Sequence, residues 1–301
     1  MDYTPRYIGL YQSGRLKEIA NLLEDKLSSC RLCPHKCGTN RHKGEKGICR
    51  SGILPVVSSY GPHFGEEPPL VGFGGSGTIF FTNCNMACIF CQNYDISHLG
   101  YGKEVTFEEL ADMMIYLQRR GCHNINFVTP THMIYPIIKS LEIAIPRGLN
   151  IPLVYNSGGY DSSETLRLLE GVFDIYMPDF KYADGEVARR LSGVKNYPEV
   201  AKEAVSEMYA QVGDLFIDSR GIAKYGLMVR HLVLPENMAG SFEVVEFLSG
   251  ISKNLYLNIM DQYRPVYEAY REPAIARRTR LEEVMEVVNH AKKLGMKRVI
   301  Y

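Results

Sequence analysis

Gly77-Thr-Ile-Phe-Phe-Thr-Asn-Cys84-Asn-Met-Ala-Cys88-Ile-Phe-Cys91-Gln-Asn93 joins a short apolar run to three cysteines separated by three residues and then two. The run reads as a strand, and the cysteines as a loop at its end. A loop this short lets each thiolate reach a different corner of one iron-sulfur cluster. A four-iron cluster takes four ligands and the loop offers three, which leaves one iron for an outside ligand, much as a catalytic metal site keeps a position open. The competing reading, three core cysteines on a buried turn, is disfavoured by the spacing and by the strand before it.

Downstream of this loop the chain alternates strand and helix signals. Compact apolar or β-branched runs at 78–83, 124–129, 151–155, 172–177, 226–234 and 255–260 read as strands. Helix starts lie between them. Thr106-x-x-Glu109 forms a capping box ahead of Leu110, Met113, Met114 and Leu117, with Gly121 as the stop. Asp161 with Glu164 marks a second start, Pro198 suits a first turn, and Ser241 is placed to cap a helix. A last helix is expected to open at Thr279-x-x-Glu282 and to bury Leu281, Val284, Met285 and Val288, before a short final strand at 298–301. Strand and helix alternating in this way imply a parallel sheet with right-handed crossovers. Periodicity leaves two architectures open, a doubly wound sheet and a curved, incomplete barrel, and both place active residues at the carboxyl ends of strands.

Upstream, Leu16, Ile19, Leu22, Leu23 and Leu27 recur at helical intervals. Cys30-Arg-Leu-Cys33-Pro-His-Lys-Cys37-Gly follows, and Cys49 closes the set after a polar loop. Four cysteines among Gly and Lys, with little apolar material, predict a small metal-binding module whose binding energy replaces a core. Four thiolates suit zinc and equally an auxiliary iron-sulfur cluster. His35 and His42 are near enough to compete as ligands, although solvated loop histidines are the plainer reading. Residues 51–77 read as irregular, punctuated by Pro55, Gly61-Pro62 and Pro68-Pro69. Their glycine run precedes a strand, so it is not a dinucleotide fingerprint. The division this suggests is 1–76 for the N-terminal helix, four-cysteine module and lead-in, and 77–301 for the strand-helix body with its C-terminal helix.

Composition narrows the classes. With 34 basic and 34 acidic residues in 301 the formal charge is zero, so nothing global favours nucleic-acid capture. No run approaches a membrane span and no early stretch has a signal-peptide core, which gives the expectation of a cytoplasmic protein without membrane contact. Eight cysteines in such a chain argue for metal over disulfides. Cys122 is expected to be a spare core thiol.

The Cys-x3-Cys-x-aromatic-Cys pattern, with Phe90 at the aromatic position, resembles the signature of radical S-adenosylmethionine (SAM) enzymes. Over residues 30–265 the Cys30–Cys49 module, Cys91-Gln-Asn, Asn124-Ile-Asn-Phe-Val-Thr-Pro-Thr-His, Pro178-Asp-Phe-Lys and Gln262-Tyr-Arg-Pro are similar to the PflX-type homologues of pyruvate formate-lyase activating enzyme. The resemblance implies an α/β fold, the (β/α)6 partial TIM barrel of the radical SAM core. It also implies a [4Fe-4S] cluster on Cys84, Cys88 and Cys91 whose open iron binds SAM. Reductive cleavage of SAM would then give methionine and a 5′-deoxyadenosyl radical that abstracts hydrogen, with flavodoxin or ferredoxin as the kind of electron donor required. The substrate, whether protein, peptide or small molecule, is not supplied by the resemblance. Activases take the hydrogen from a glycine of a partner enzyme, but those with extra clusters carry them after the cysteine loop, whereas this chain has its extra cysteines before the barrel. A reading of another class is a non-enzymatic metal-binding scaffold that docks a partner.

The strand ends supply candidate SAM contacts. After the second strand stands Val128-Thr129-Pro130-Thr131-His132, where many family members carry a Gly-Gly-Glu stretch; the carbonyls of Thr129 and Pro130 can serve instead, while Thr131 and His132 can cap the next helix. The third ends Tyr155-Asn156-Ser157-Gly158-Gly159, with directional hydrogen-bonding groups and glycines that admit close approach, although a turn needs the same residues. The fourth ends Asp179-Phe-Lys181, which resembles an activase SAM-binding motif and otherwise forms a surface ion pair. In the fifth, Arg230-His231 resembles the strand that meets the SAM ribose; a histidine hydrogen-bonded to a helix is the alternative.

Overall fold

The computed structural model describes residues 3–301. Its strands are β1 (Val56–His63), β2 (Ser76–Phe81), β3 (Lys103–Glu104), β4 (Ile125–Val128), β5 (Leu153–Ser157), β6 (Ile175–Pro178), β7 (Phe216–Ile217), β8 (Ala223–Leu232), β9 (Tyr256–Met260) and β10 (Arg298–Ile300). Its helices are α1 (Arg6–Gln12), α2 (Arg15–Asp25), α3 (Pro68–Val71), α4 (Tyr94–Ser97), α5 (Phe107–Arg119), α6 (Ile134–Ala144), α7 (Ser163–Leu168), α8 (Gly185–Ser192), α9 (Tyr197–Val212), α10 (Ser241–Ile251) and α11 (Leu281–Lys293).

The strands run β10-β9-β8-β6-β5-β4-β2-β1-β3 across one sheet, with β7 beside β8. From β2 to β10 every neighbouring pair is parallel. Position in this parallel part follows chain order without reversal, whereas a doubly wound sheet reverses at a switch point. The order therefore excludes the doubly wound alternative, and all the carboxyl ends of the parallel strands lie on one side.

Alternation along the strands separates two faces. Ile79, Phe81, Ile125, Phe127, Tyr155, Tyr176, Val229 and Leu257 point to the main core, which also holds Leu16, Ile19 and Leu23 of α2 and the buried faces of the later helices. Residues on either side of position 76 thus share one core. Val154, Ile175, Met177, Met228 and Tyr256 point the other way, where Leu70 of α3 packs on them.

Several expected helix starts hold. Thr106 and Glu109 form the capping box of α5, and Pro198 sits in the first turn of α9. Three others are corrected. Ser162, not Asp161, accepts from Thr165 N–H at the start of α7, because the Asp161 carboxylate is drawn inward by three hydroxyls. Ser241 gives its hydroxyl to His231, and Gly240 takes the cap of α10 in a left-handed conformation. Thr279 bonds the Val233 carbonyl at 2.7 Å, so α11 starts after Arg280 and leaves Leu281 65% exposed. The stretch read as irregular contains β1, antiparallel to β2 with a register shift between Val57 and Ser59. Its Ser, Gly and Pro content hides the strand, which the neighbouring edge stabilises. Single-sequence patterning does not carry that pairing.

Candidate active site

The loop after β2 is fixed by hydrogen bonds from distant parts of the chain. Ala87 and Ile89 N–H donate to the carbonyls of Ser192 and Leu191 at 3.0 and 2.9 Å, which belong to the last turn of α8 and lack partners within that helix. His35 Nε2–H donates to the Asn85 carbonyl at 2.6 Å, and His98 Nε2–H to the Cys88 carbonyl at 3.0 Å. Phe90 is buried, packed edge-on against Tyr182 and Tyr263, so the aromatic position of the motif anchors the loop.

Cys84, Cys88 and Cys91 are free thiols. Each accepts a hydrogen bond: Cys84 from Met86 N–H at 3.3 Å, Cys88 from the Ser192 hydroxyl at 2.9 Å, and Cys91 from the Ser97 hydroxyl at 3.1 Å. Burial pushes the Cys84 and Cys88 thiols upward, and the Lys181 ammonium nearby opposes the shift. Among the described residues no three His, Cys, Asp or Glu side chains close tightly enough for a single metal ion. Thiolates that bind different irons of a cluster are set wider than the ligands of one ion, so three soft donors beside a lysine fit a cluster with one open corner.

The ends of β4, β5 and β6 converge on this loop. Lys181 Nζ pairs with the Asp179 carboxylate at 2.5 Å, both largely shielded from solvent. Burial opposes its charge, but the Asp179 carboxylate outweighs this and holds Lys181 above the usual amine range. The Tyr197 hydroxyl receives Lys181 N–H at 2.9 Å and donates toward the carbonyls of Gly158 and Asp179, tying the β5 and β6 ends together. Gly159, at φ 77°, is required here, since a Cβ would stand 2.1 Å from the Asp179 carbonyl oxygen. A Cβ on Gly158 would meet Met86 Sδ at 3.1 Å and Lys181 Cε at 3.7 Å, which places that position between loop and lysine. Asn156 is buried beside it at the end of β5.

Thr129 holds φ 61° just before Pro130, a strained position for a β-branched residue. Its N–H donates to the Asn156 carbonyl at 2.8 Å. Beyond it, Thr131 and His132 do not cap α6. Thr131 donates to Asp161 at 2.7 Å, and His132 Nε2–H donates to the Thr82 carbonyl at 2.9 Å. Asp161 also accepts from Tyr155 OH at 2.8 Å and Ser157 Oγ at 2.5 Å, which fastens the β4 and β5 ends; burial, partly offset by these hydroxyls, raises its carboxyl.

His231 is fully buried, with Nδ1–H donating to the Phe180 carbonyl at 2.6 Å and Nε2 accepting from Ser241 Oγ at 2.8 Å. Both nitrogens are used within the protein, so the ring braces β6 against α10 and offers no free atom to a ligand. Burial lowers it to about 4. Arg230 points to the other face, where Glu66, Glu67 and, through Glu67, Asn258 enclose it. Ser97, Tyr182, Ser192 and Tyr197 were not singled out by sequence reasoning. For Ser192 a signal existed, because Asp184 caps α8 and Gly193 ends it at φ 73°.

The N-terminal cysteines Cys30, Cys33, Cys37 and Cys49 are also free. The Thr39 hydroxyl donates to Cys37 Sγ at 3.4 Å, and Arg41 Nη2 donates to Cys49 Sγ at 3.3 Å. Burial pushes Cys33 up to about 12. The residues beside them grip the other loop: His35 as above, and Arg50, whose guanidinium donates to the carbonyls of Ser97 and His98 at 2.7 and 2.6 Å. Cys122 lies in the core.

Residues 78–213 match the Radical SAM superfamily model. The chain carries a radical SAM superfamily domain. It is 35% identical over 282 residues to an uncharacterized protein of Methanocaldococcus jannaschii, covering 89% of this chain and 75% of that one. It is 24% identical over 200 residues to the pyruvate formate-lyase-activating enzyme of Clostridium pasteurianum, covering 64% of this chain and 76% of the relative. Among solved structures, native anSMEcpe with bound AdoMet aligns with a TM-score of 0.45 at 9% identity, over 72% of this chain and 61% of that chain. No helix among the described residues is long and apolar enough to cross a membrane.

Proposed function

We propose that this chain is a hydrogen-abstracting radical SAM enzyme, with Cys84, Cys88 and Cys91 holding a [4Fe-4S] cluster and the β4, β5 and β6 ends binding SAM. One observation carries the reading: the partly buried Asp179–Lys181 pair stands against the Cys84 and Cys88 thiols at the top of the sheet. A reduced cluster of this kind supplies the electron that cleaves SAM to methionine and a 5′-deoxyadenosyl radical. The chain's own residues position and shield. Asp179 and Lys181 offer a carboxylate and an ammonium to the zwitterionic end or ribose of SAM. The carbonyls of Thr129 and Pro130 and the amide of Asn156 supply further polar contacts, held in place by Asp161 and Tyr197. Phe90, Tyr182 and Tyr263 keep water from the loop. The likeness to the activating enzyme supports hydrogen abstraction, with a partner's glycine, a peptide or a small molecule as the acceptor of the radical, and flavodoxin or ferredoxin as electron donor. The thiols of Cys30, Cys33, Cys37 and Cys49 form a second metal centre, holding zinc or an auxiliary iron-sulfur cluster.

The test is anaerobic reconstitution with iron and sulfide, followed by SAM and a strong reductant. The expected result is about four irons at the Cys84 site and release of 5′-deoxyadenosine. Iron-replete protein that yields no more product than its Cys84→Ala variant would point instead to a metal-binding scaffold.

A further inference from the structure

Two of the three loop thiols are bonded by hydroxyls that the motif does not contain. Ser192, fully buried at the end of α8, donates to Cys88 Sγ at 2.9 Å. With the Ser192 proton committed to sulfur, the Tyr182 O–H, 2.6 Å away, donates to Ser192 Oγ, giving an ordered chain from tyrosine to serine to thiol. Successive donors polarise one another, which strengthens the bond at the sulfur. The serine is also held by its backbone, since its own carbonyl receives Ala87 N–H from the cysteine loop at 3.0 Å. On the other side Ser97, in the last turn of α4, donates to Cys91 Sγ at 3.1 Å. Arg50 fixes that turn by bonding the carbonyls of Ser97 and His98, so the residue following Cys49 positions the second hydroxyl.

Reduction of a thiolate-bound iron-sulfur group adds negative charge that spreads onto the sulfurs. A hydrogen-bond donor at a sulfur stabilises the reduced form more than the oxidised one and raises the potential. We propose that Ser192, polarised by Tyr182, and Ser97 are positioning residues that set the reduction potential of the group on Cys84, Cys88 and Cys91. The inference rests on the reading of that loop as a cluster site. It adds that the potential is governed from α8 and α4 and, through Arg50, from the N-terminal module.

The experiment is a potentiometric titration of the reconstituted full-length chain followed by electron paramagnetic resonance, with iron determined in parallel. In Ser192→Ala the ratio of reduced to oxidised protein at a fixed potential should fall about tenfold, a shift of about 59 mV to more negative values for a one-electron couple, with iron content unchanged. Tyr182→Phe should shift in the same direction by less, Ser97→Ala likewise, and Ser192→Thr should restore the wild-type value. An iron-replete Ser192→Ala protein with the wild-type potential overturns the inference alone. If Ser192→Ala fails to retain iron, Tyr182→Phe decides, because its hydroxyl does not touch the thiol, and an unchanged potential there overturns it. A wild-type chain that takes up no iron at Cys84, Cys88 and Cys91 overturns the cluster reading and this inference together.

Discussion

The two cysteine sets are built in opposite ways. In the N-terminal set the groups that bond the sulfurs are close in sequence: Thr39 for Cys37 and Arg41 for Cys49. In the loop after β2 the thiols are equally local, but Ser192 lies 104 residues from the sulfur it serves and Lys181 belongs to another strand end. The first set takes its sulfur partners from its own segment, whereas the second also takes them from α8 and another strand end. Thiols served from their own segment depend less on what surrounds them, whereas an assembled set owes its electrostatics to the whole fold.

Replacing Cys84, Cys88 and Cys91 together with alanine tests that contrast most strongly. SAM cleavage should vanish, and any iron or zinc that remains by elemental analysis must sit at Cys30, Cys33, Cys37 and Cys49. Lys181→Met comes next. It should weaken SAM binding about ten- to a hundredfold, roughly 1.4–2.8 kcal/mol, measured by equilibrium titration, and leave metal content at both sets unchanged. A fall in N-terminal metal would show that the sets are less separate than their bonding suggests.

Acid tests the bridge between them. The His132 ring bonds Thr82 ahead of the loop, while its carbonyl receives Arg41 Nη1–H from the N-terminal set at 2.9 Å. Burial lowers His132 and His231 from 6.5 to about 4, so the unfolded chain binds these protons first. Their contribution is complete above pH 6.5 and is lost as pH falls toward 4, on the order of 2–3 kcal/mol for each ring. Thermal unfolding between pH 7 and 4 should show the decline, and His231→Gln should flatten it. The smallest effect is expected from Gly47→Ala. A Cβ there would lie 2.4 Å from Cys37 Sγ, costing about 1–2 kcal/mol and reducing metal retention at the N-terminal set alone, as read by chelator competition.

Much of the fold was legible because its signals are local. The six main strands, the capping box at Thr106 and the Pro198 start all stand close to where sequence patterning put them, since each depends on residues a few positions apart. The three misplaced helix caps share one cause. Asp161, Ser241 and Thr279 carry side chains that cap helices in isolation, but each found a stronger buried partner across the fold: Ser157, Tyr155 and Thr131 for Asp161, His231 for Ser241, and the Val233 carbonyl for Thr279. His231 shows the same effect at the candidate site, since a histidine in an apolar strand announces a polar partner without saying whether the partner is ligand or protein.

What the sequence by itself determined is the set of covalently fixed spacings. Three cysteines within eight residues after a strand, and four more before it, define two thiol sets and the order of strands that carries them. What only the tertiary structure decided is which side chains surround those thiols. Tyr182, Ser192 and Lys181, which follow β6, reach the loop after β2 because the sheet sets its strand ends side by side, and burial there makes each hydrogen bond and charge count for more than it would in water.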